Sequence, residues 1–308
     1  MTSEGRRMTG PILVTGTTGQ LVTCLARQGG AGVMSIGRPE LDFDAPETIK
    51  AVLARHAPRL IVNAAAYTAV DKAESDPEAA DRANHLAPAH IAAYCAQAGI
   101  PLIHVSTDYV FDGAKGAPYV ETDPTSPTGV YGRTKRDGET AVLDSGAQAL
   151  ILRTSWVYAS HGKNFVRTML NAAKRIPKLR VVGDQHGCPT NAADLATAIL
   201  AIIARIDATG WQPGYGGVFH AAGTGEATWF DLALAVFSES ARNGGEIPEM
   251  ECITTADWPT PARRPADSRL DCTRLSEVFA IRLPSWRISL AGVVDDIFAQ
   301  ECVTPDGA

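Results

Sequence analysis

Pro11-Ile12-Leu13-Val14-Thr15-Gly16-Thr17-Thr18-Gly19-Gln20-Leu21-Val22 is the stretch on which the fold turns. Its opening apolar run, residues 11–15, is too short for a buried helix and rich in β-branched side chains, which predicts a buried parallel strand. Residues 21–26 can be helical. Strand, glycine turn and helix in this order is the context a dinucleotide-binding loop requires: Gly16 allows the tight turn, and Gly19 lets backbone approach a pyrophosphate at the helix N-terminus. Val22 stands where the fingerprint has its third glycine, so helix and strand are expected to pack less closely there. An ordinary glycine-containing turn has the same local reading, and the rest of the chain decides between the two.

Outward from this stretch, strands and helices alternate. Residues 32–36 give a second strand, followed by Gly37-Arg38. An NAD-selective site places an acid about 20 residues past the loop, at the ribose hydroxyls. None is there, and Arg38 can instead pair with a 2′-phosphate, which favours NADPH and leaves NADH possible. Arg38 can equally be a solvated strand end. Asp42 and Phe43 can flank an adenine or form a plain turn. Ile49, Val52 and Leu53 mark a helical face, and residues 60–63 a third strand. It runs into Ala64-Ala65-Ala66-Tyr67-Thr68, small residues that leave room for a ligand at the carboxyl end of a parallel strand. Lys72 beyond them can meet a phosphate or simply be exposed. Residues 77–99 form an alanine-rich helix with Ile91 and Cys95 on its apolar face, Asn84 as a satisfied polar residue and Gly99 as the stop. A fourth strand, residues 101–106, ends in Thr107-Asp108-Tyr109. Gly19, Ala66 and Thr107 therefore share one sheet edge, and repeated right-handed crossovers predict an α/β fold, a Rossmann-type doubly wound parallel sheet. Residues 11–160 carry this NAD(P)-binding sheet, completed by later segments. Residues 161–308 form mainly a smaller C-terminal substrate-binding lobe interleaved with it, and residues 1–10 read as a disordered leader with Met8 as a candidate start.

In that second half residues 150–153 and 180–182 are strand-like, and residues 194–203 carry the apolar repeat of a buried helix that Asn191 can cap. Trp229 and Phe230 begin another helix, as core rather than ligand contacts. Arg263, Arg264 and Arg269 can neutralise a diphosphate or lie solvated at the surface.

With 308 residues, 45% of them hydrophobic and 20% charged, the chain has the composition of a soluble globular protein. A net charge of −6 without a long basic run argues against nucleic-acid or anionic-membrane partners. A local basic pocket for a phosphorylated small molecule stays open. Arg6 and Arg7 are not followed by the apolar segment of a signal peptide. Six scattered cysteines without a CxxC pair disfavour zinc and a disulfide framework, and read as reduced thiols of a cytoplasmic protein.

Past a loop rich in Gly and Pro, residues 111–127, Tyr131 and Lys135 lie four apart in a helix-compatible setting. That spacing puts both side chains on one face. An ammonium near the phenol is expected to lower its pKa from about 10 and make it a usable acid, although the spacing by itself is common in helices.

Gly16-x-x-Gly19, Asn63-Ala64-Ala65-Ala66, Ser106-Thr107-Asp108-Tyr109-Val110-Phe111 and Tyr131-x-x-x-Lys135 together resemble the extended short-chain dehydrogenase/reductases. Later stretches narrow the resemblance. Arg153-Thr154-Ser155-Trp156-Val157-Tyr158, Asn164-Phe165, Gly183-Asp184-Gln185 with Gly187-Cys188-Pro189-Thr190, and Arg264-Pro265 with Ser268-Arg269-Leu270 are similar to the dTDP-4-dehydrorhamnose reductases. The likeness runs from Pro11 to the region of Leu290. It implies NADPH-dependent reduction of the 4-keto group of dTDP-4-dehydro-6-deoxy-L-mannose to dTDP-L-rhamnose. It implies that Gly19, Gln20, Leu21, Asp42, Phe43, Ala66, Tyr67, Thr68 and Val105 line the nicotinamide cofactor. Thr107 and Asp108 then contact the sugar, Trp156 bounds its pocket, and Arg264 belongs to the site. Tyr131 supplies the proton, Thr107 an aligned hydrogen bond, and Lys135 lowers the Tyr131 pKa and holds the nicotinamide ribose. Val22, and His186 where an aromatic is common, depart from the family pattern. Metal dependence varies among such enzymes and no Mg2+ site is assigned here; a homodimer is compatible with the resemblance but not legible.

Three neighbouring functions stay in view. Nucleotide-sugar 4,6-dehydratases resemble Thr-Asp-Glu where this chain has Thr107-Asp108-Tyr109, and a tyrosine cannot serve as that carboxylate base. Epimerases share the tyrosine and lysine. A non-enzymatic regulatory subunit could keep the fold and dispense with the acid/base pair.

Overall fold

The computed structural model describes residues 10–303; residues 1–9 of the expected leader, with Met8, lie outside them. In the first half, β1 (Ile12–Thr15), α1 (Gln20–Gly29), β2 (Val33–Ile36), α2 (Ile49–His56), β3 (Leu60–Asn63), α3 (Val70–Ala73), α4 (Pro77–Asp81), α5 (Ala87–Ala98), β4 (Leu102–Thr107), α6 (Val130–Asp144) and β5 (Ala149–Thr154) follow one another. The second half holds β6 (Val157–Tyr158), α7 (Phe165–Ala173), β7 (Lys178–Val182), β8 (His186–Gly187), β9 (Thr190–Asn191), α8 (Ala192–Thr209), β10 (Gly217–His220), β11 (Ala227–Thr228), α9 (Trp229–Arg242), β12 (Glu249–Ile253), α10 (Thr273–Phe279) and α11 (Trp286–Val303).

The main sheet has six strands in the order β2-β1-β3-β4-β5-β10, all parallel. Its central strands β1, β3 and β5 are buried at every position, as continuous apolar runs require when helices cover both faces. Alternate residues sort onto the two sides. Ile12, Val14, Leu150 and Leu152 pack with α1 and α8, whereas Leu13, Ile61 and Ile151 pack with α2, α5 and α6. After β2 the chain crosses from one side of β1 to the other to form β3, so a topological switch point lies between β1 and β3, where open α/β sheets take their ligands.

Two expectations change in detail. The helix over residues 77–99 is α4 and α5 joined by a π turn, Arg82–Leu86, which carries Asn84. Residues 180–182 are indeed in a strand, β7, but it lies outside the main sheet and pairs in parallel with β12. Lys178 and Arg180 alternate there with buried Leu179 and Val181, and Lys178 pairs with Glu249 and Glu251 across the ladder at 2.9 and 3.1 Å. A strand with one wet face suits a two-stranded layer under α9 and not a sheet covered on both sides. The sixth strand of the main sheet is β10, a four-residue segment starting at a glycine that hydropathy alone does not single out. Asn191 caps α8 as expected, its side chain accepting the Ala193 N–H at 3.0 Å.

A second core surrounds Trp286, Val236, Leu232 and Leu290 between α7, α9 and α11. No helix among the described residues is long and apolar enough to cross a membrane, and all six cysteines are free thiols.

Candidate active site

Beyond β1, Gly16 takes φ 98° and its N–H donates to the Ile36 carbonyl at 2.6 Å. A Cβ there would lie 3.2 Å from Val22 Cγ2, so the valine in place of a third glycine is accommodated because Gly16 carries no side chain. Gly19 caps α1 without a side-chain acceptor, and the first turn holds no acid. The amides and the positive end of the helix dipole are therefore left for an anion. A cleft of about 470 Å³ lies at the switch point, bordered by Gly16, Gly37, Phe43, Ala66, Tyr67 and Lys72. Gly37 must be small, since its Cβ would meet Gly16 Cα at 3.3 Å. Tyr67 has a buried hydroxyl without a partner. The glycine cradle, the uncapped helix and this orphaned hydroxyl fit a dinucleotide cofactor.

The other residues expected at the cofactor are held in different ways. The Gln20 side chain accepts the Asn164 amide at 2.8 Å, and Leu21 is buried in the core, which leaves its backbone as the group available to a ligand. Arg38, exposed at the cleft mouth, pairs with Asp42 at 2.7 Å and with Asp44. Exposed pairs of this kind are worth about 0.2–1 kcal/mol, so a phosphate can compete for the guanidinium. Asp42 is engaged by Arg38 and by the Asp44 N–H at 3.0 Å. Thr15 Oγ1 accepts the N–H groups of Ala64 and Ala65, both at 3.1 Å, and Asn84 clamps Tyr67 through its backbone N–H and carbonyl at 2.8 and 3.1 Å. Thr68 is exposed beside them.

Against β4, β5 and the turn that follows β4 lies α6. Glu74 Oε1 accepts the Val130 N–H at 2.7 Å and so caps the helix one residue before Tyr131. Gly132 lets the helix pass over the 108–110 turn, for a Cβ there would sit 2.2 Å from the Tyr109 carbonyl oxygen. Tyr131 packs edge-on against Tyr109, ring centroids 5.6 Å apart. Burial pushes its phenol up to about 12, and a hydrogen bond with Thr107 opposes that shift. Lys135 does not act in the expected way. Its ammonium donates to the Val105 carbonyl at 2.7 Å, burial lowers it to about 8, and it is not among the groups that shift Tyr131. Burial therefore sets the direction for Tyr131, with no opposing contribution from Lys135.

Asp108 is buried beneath the pair. Its carboxylate accepts from Thr107 at 3.0 Å, Ser155 at 3.0 Å and Ser268 at 2.5 Å, yet burial is the larger influence and raises its pKa to about 6. Trp156 follows Ser155 at φ 48°. Arg264 reaches the same region, held by Asp71 at 2.9 Å with Nη1 buried and without a partner. Arg269 is held by Asp267, at 2.8 and 2.7 Å, and by Glu226. Glu74 and Glu139 are site-building residues that sequence reading did not pick out; Ser155, Ser268 and Arg153, which pairs with Glu139 at 2.7 Å, stood in the stretches that carried the resemblance without being given a role. No three His, Cys, Asp or Glu side chains among the described residues cluster to hold a metal ion.

A tyrosine and a lysine one turn apart on α6, beside a glycine-lined cleft at the carboxyl ends of β1 and β3, is the arrangement of the extended short-chain dehydrogenase/reductases, and the chain is of that class. Within it, the chain belongs to the dTDP-4-dehydrorhamnose reductase family: the family described as the RmlD substrate binding domain matches residues 8–298. The dTDP-4-dehydrorhamnose reductase of Sinorhizobium fredii is 45% identical over 285 residues, 92% of this chain and 96% of that protein. Among solved structures, a dTDP-4-dehydrorhamnose reductase from Clostridium acetobutylicum superposes with a TM-score of 0.85 at 33% identity, covering 92% of this chain and 98% of the other. One from Bacillus anthracis in complex with NADP gives 0.84 at 29% identity, covering 94% and 100%.

Proposed function

We propose that this protein reduces the 4-keto group of dTDP-4-dehydro-6-deoxy-L-mannose to the alcohol of dTDP-L-rhamnose, using NADPH. The observation that carries the reading is the convergence of Tyr131, Thr107 and Lys135 beside the glycine-loop cleft. When bound, the reduced nicotinamide supplies the hydride for the carbonyl carbon. Tyr131 gives its proton to the carbonyl oxygen, and the Thr107 hydroxyl, turning from Asp108 to that oxygen, donates a hydrogen bond to the charge that develops there. The phenol, raised by burial to about 12, arrives protonated at each turnover, although the rise makes it a weaker acid than a free tyrosine. Lys135, anchored on Val105, presents its remaining N–H groups to the nicotinamide ribose. Gly16, Gly19 and the α1 amides hold the pyrophosphate, with Arg38 at the 2′-phosphate. Trp156 bounds the sugar and Arg264 contributes its unpartnered Nη1 to the diphosphate. Residues 161–308 form mainly the substrate lobe, and the protein acts in the cytoplasm, compatible with a homodimer.

Tyr131→Phe is expected to bind NADPH as the parent does and to lose about 10²- to 10⁴-fold in kcat. Cofactor oxidation followed by the absorbance of the reduced nicotinamide, with the dTDP-linked 4-keto sugar and either NADPH or NADH, measures both. A variant that turns over at the parent rate removes Tyr131 as the acid. Sugar binding without any oxidation by the parent protein points to the regulatory subunit instead.

A further inference from the structure

Trp156 leaves β5 in the left-handed region, φ 48°, a conformation that is costly for a bulky residue and persists where its surroundings enforce it. Its indole lies face to face on that of Trp229, the first residue of α9, with ring centroids 3.6 Å apart and planes 6° from parallel. Aromatic pairs left to their quadrupoles prefer offset or edge-on geometry. A stack this nearly eclipsed must therefore be held from outside. Gly187 abuts the edge of Trp156, where a Cβ would come within 2.4 Å of Cε2. The Trp156 carbonyl accepts the Thr190 N–H at 3.2 Å.

Trp229 is itself fixed. Its Nε1 donates to Gln185 Oε1 at 3.2 Å, Gln185 Nε2 donates to Thr255 Oγ1 at 2.9 Å, and Thr255 Oγ1 donates to Asp184 at 2.7 Å. Phe165 packs against its ring, centroids 4.7 Å apart. Ser155, the residue before Trp156, is bonded to Asp108. The stacked pair is thus built out from the floor of the active site and braced at its far end by a hydrogen-bonded chain.

We propose that Trp229 is a positioning residue for the sugar: by stacking on Trp156 it fixes the plane of the wall against which the hexose lies, and Gln185 in turn fixes Trp229. This rests on the reading that Trp156 bounds the sugar pocket. A rigid indole complements the apolar C–H face of a 6-deoxyhexose. An indole free to swing presents that face for part of the time, and apparent affinity falls by the same fraction.

The test uses the intact protein and steady-state kinetics with the dTDP-linked 4-keto sugar and NADPH, alongside far-ultraviolet circular dichroism, in which a stacked indole pair gives an exciton couplet. Trp156→Ala should raise KM for the sugar nucleotide. Trp229→Leu should raise it about 3- to 10-fold, the range that an aromatic pair is worth, leave kcat and NADPH affinity unchanged, and abolish the couplet. Trp229→Phe keeps a ring on Trp156 but loses the bond to Gln185 and the couplet, and should give a KM between those of the parent and Trp229→Leu. A lost couplet in Trp229→Leu with the parent KM overturns the proposal, and so does a joint loss of kcat, KM and thermal stability. An unchanged KM in Trp156→Ala removes the pocket reading itself. Should Trp229→Leu fail to fold, Gln185→Leu leaves both indoles in place and decides: a weakened couplet with a raised KM supports the brace, and a weakened couplet with the parent KM overturns it.

Discussion

Asp108 is surrounded by Thr107, Ser155 and Ser268, whose hydroxyls favour its charged form, and yet burial wins and holds its pKa at about 6. An unfolded chain protonates the same group near pH 3.9, by about the ordinary value for aspartate. Between those two values the folded protein binds more protons than the unfolded one, so this group's contribution to stability is full below the unfolded value and is lost as pH rises through about 6. Asp108→Asn has no proton to exchange. Melting temperatures of the two proteins measured from pH 4 upward, a range set by that linkage, should converge in slope only after the parent's Asp108 has ionised, with the parent losing stability relative to the variant on the way. Parallel curves across the range would mean that the carboxyl is not perturbed. Tyr131 follows the same rule of burial over neighbours, which is why the expectation from spacing had the sign of its shift reversed: four residues of separation on α6 put Lys135 on the correct face, but the ammonium reaches the Val105 carbonyl.

The helix that carries this pair, α6, is seated by what its glycines omit. A Cβ on Gly138 would lie 2.0 Å from the Asn84 carbonyl oxygen, and one on Gly132 would lie 2.2 Å from that of Tyr109. Alanine is the better helix former by roughly 1 kcal/mol, while overpacking against backbone costs typically about 1–3 kcal/mol. Gly132→Ala should therefore be destabilising in urea unfolding and should lower kcat by lifting Tyr131 from Thr107; a more stable, fully active variant would show that α6 has room to move. None of these close approaches is written in the hydropathy pattern, which reports periodicity but not the distance between partners far apart in sequence. Elements with strong local signals were legible: β1, with its glycine turn, and β3, bounded as Leu60–Asn63. The helix around Asn84 was legible as a helix but not as a π turn, and the contacts that accompany the turn, from Asn84 to Tyr67 and Thr134, are tertiary.

At the scale of the whole molecule the class of fold followed from alternation, whereas membership of the sheet did not. Residues 178–182 and 217–220 are both short, and what separates them is whether one face or two must be dry, which depends on the layers that arrive later. The polar floor of the site was hidden for a similar reason: Ser155 and Ser268 meet Asp108 from opposite halves of the chain. That late closure by β10 has a consequence for how the protein is made. β5 is buried along its whole length and its outer edge pairs only with β10. At roughly 5–20 residues per second, the nascent chain spends seconds with this apolar edge bare. A chain ending at residue 160 would be left in that state permanently and should sediment as aggregate while the full chain stays in solution. Synthesis of this protein thus contains an interval in which nascent-chain chaperones, or a pause downstream of β10, have something specific to protect.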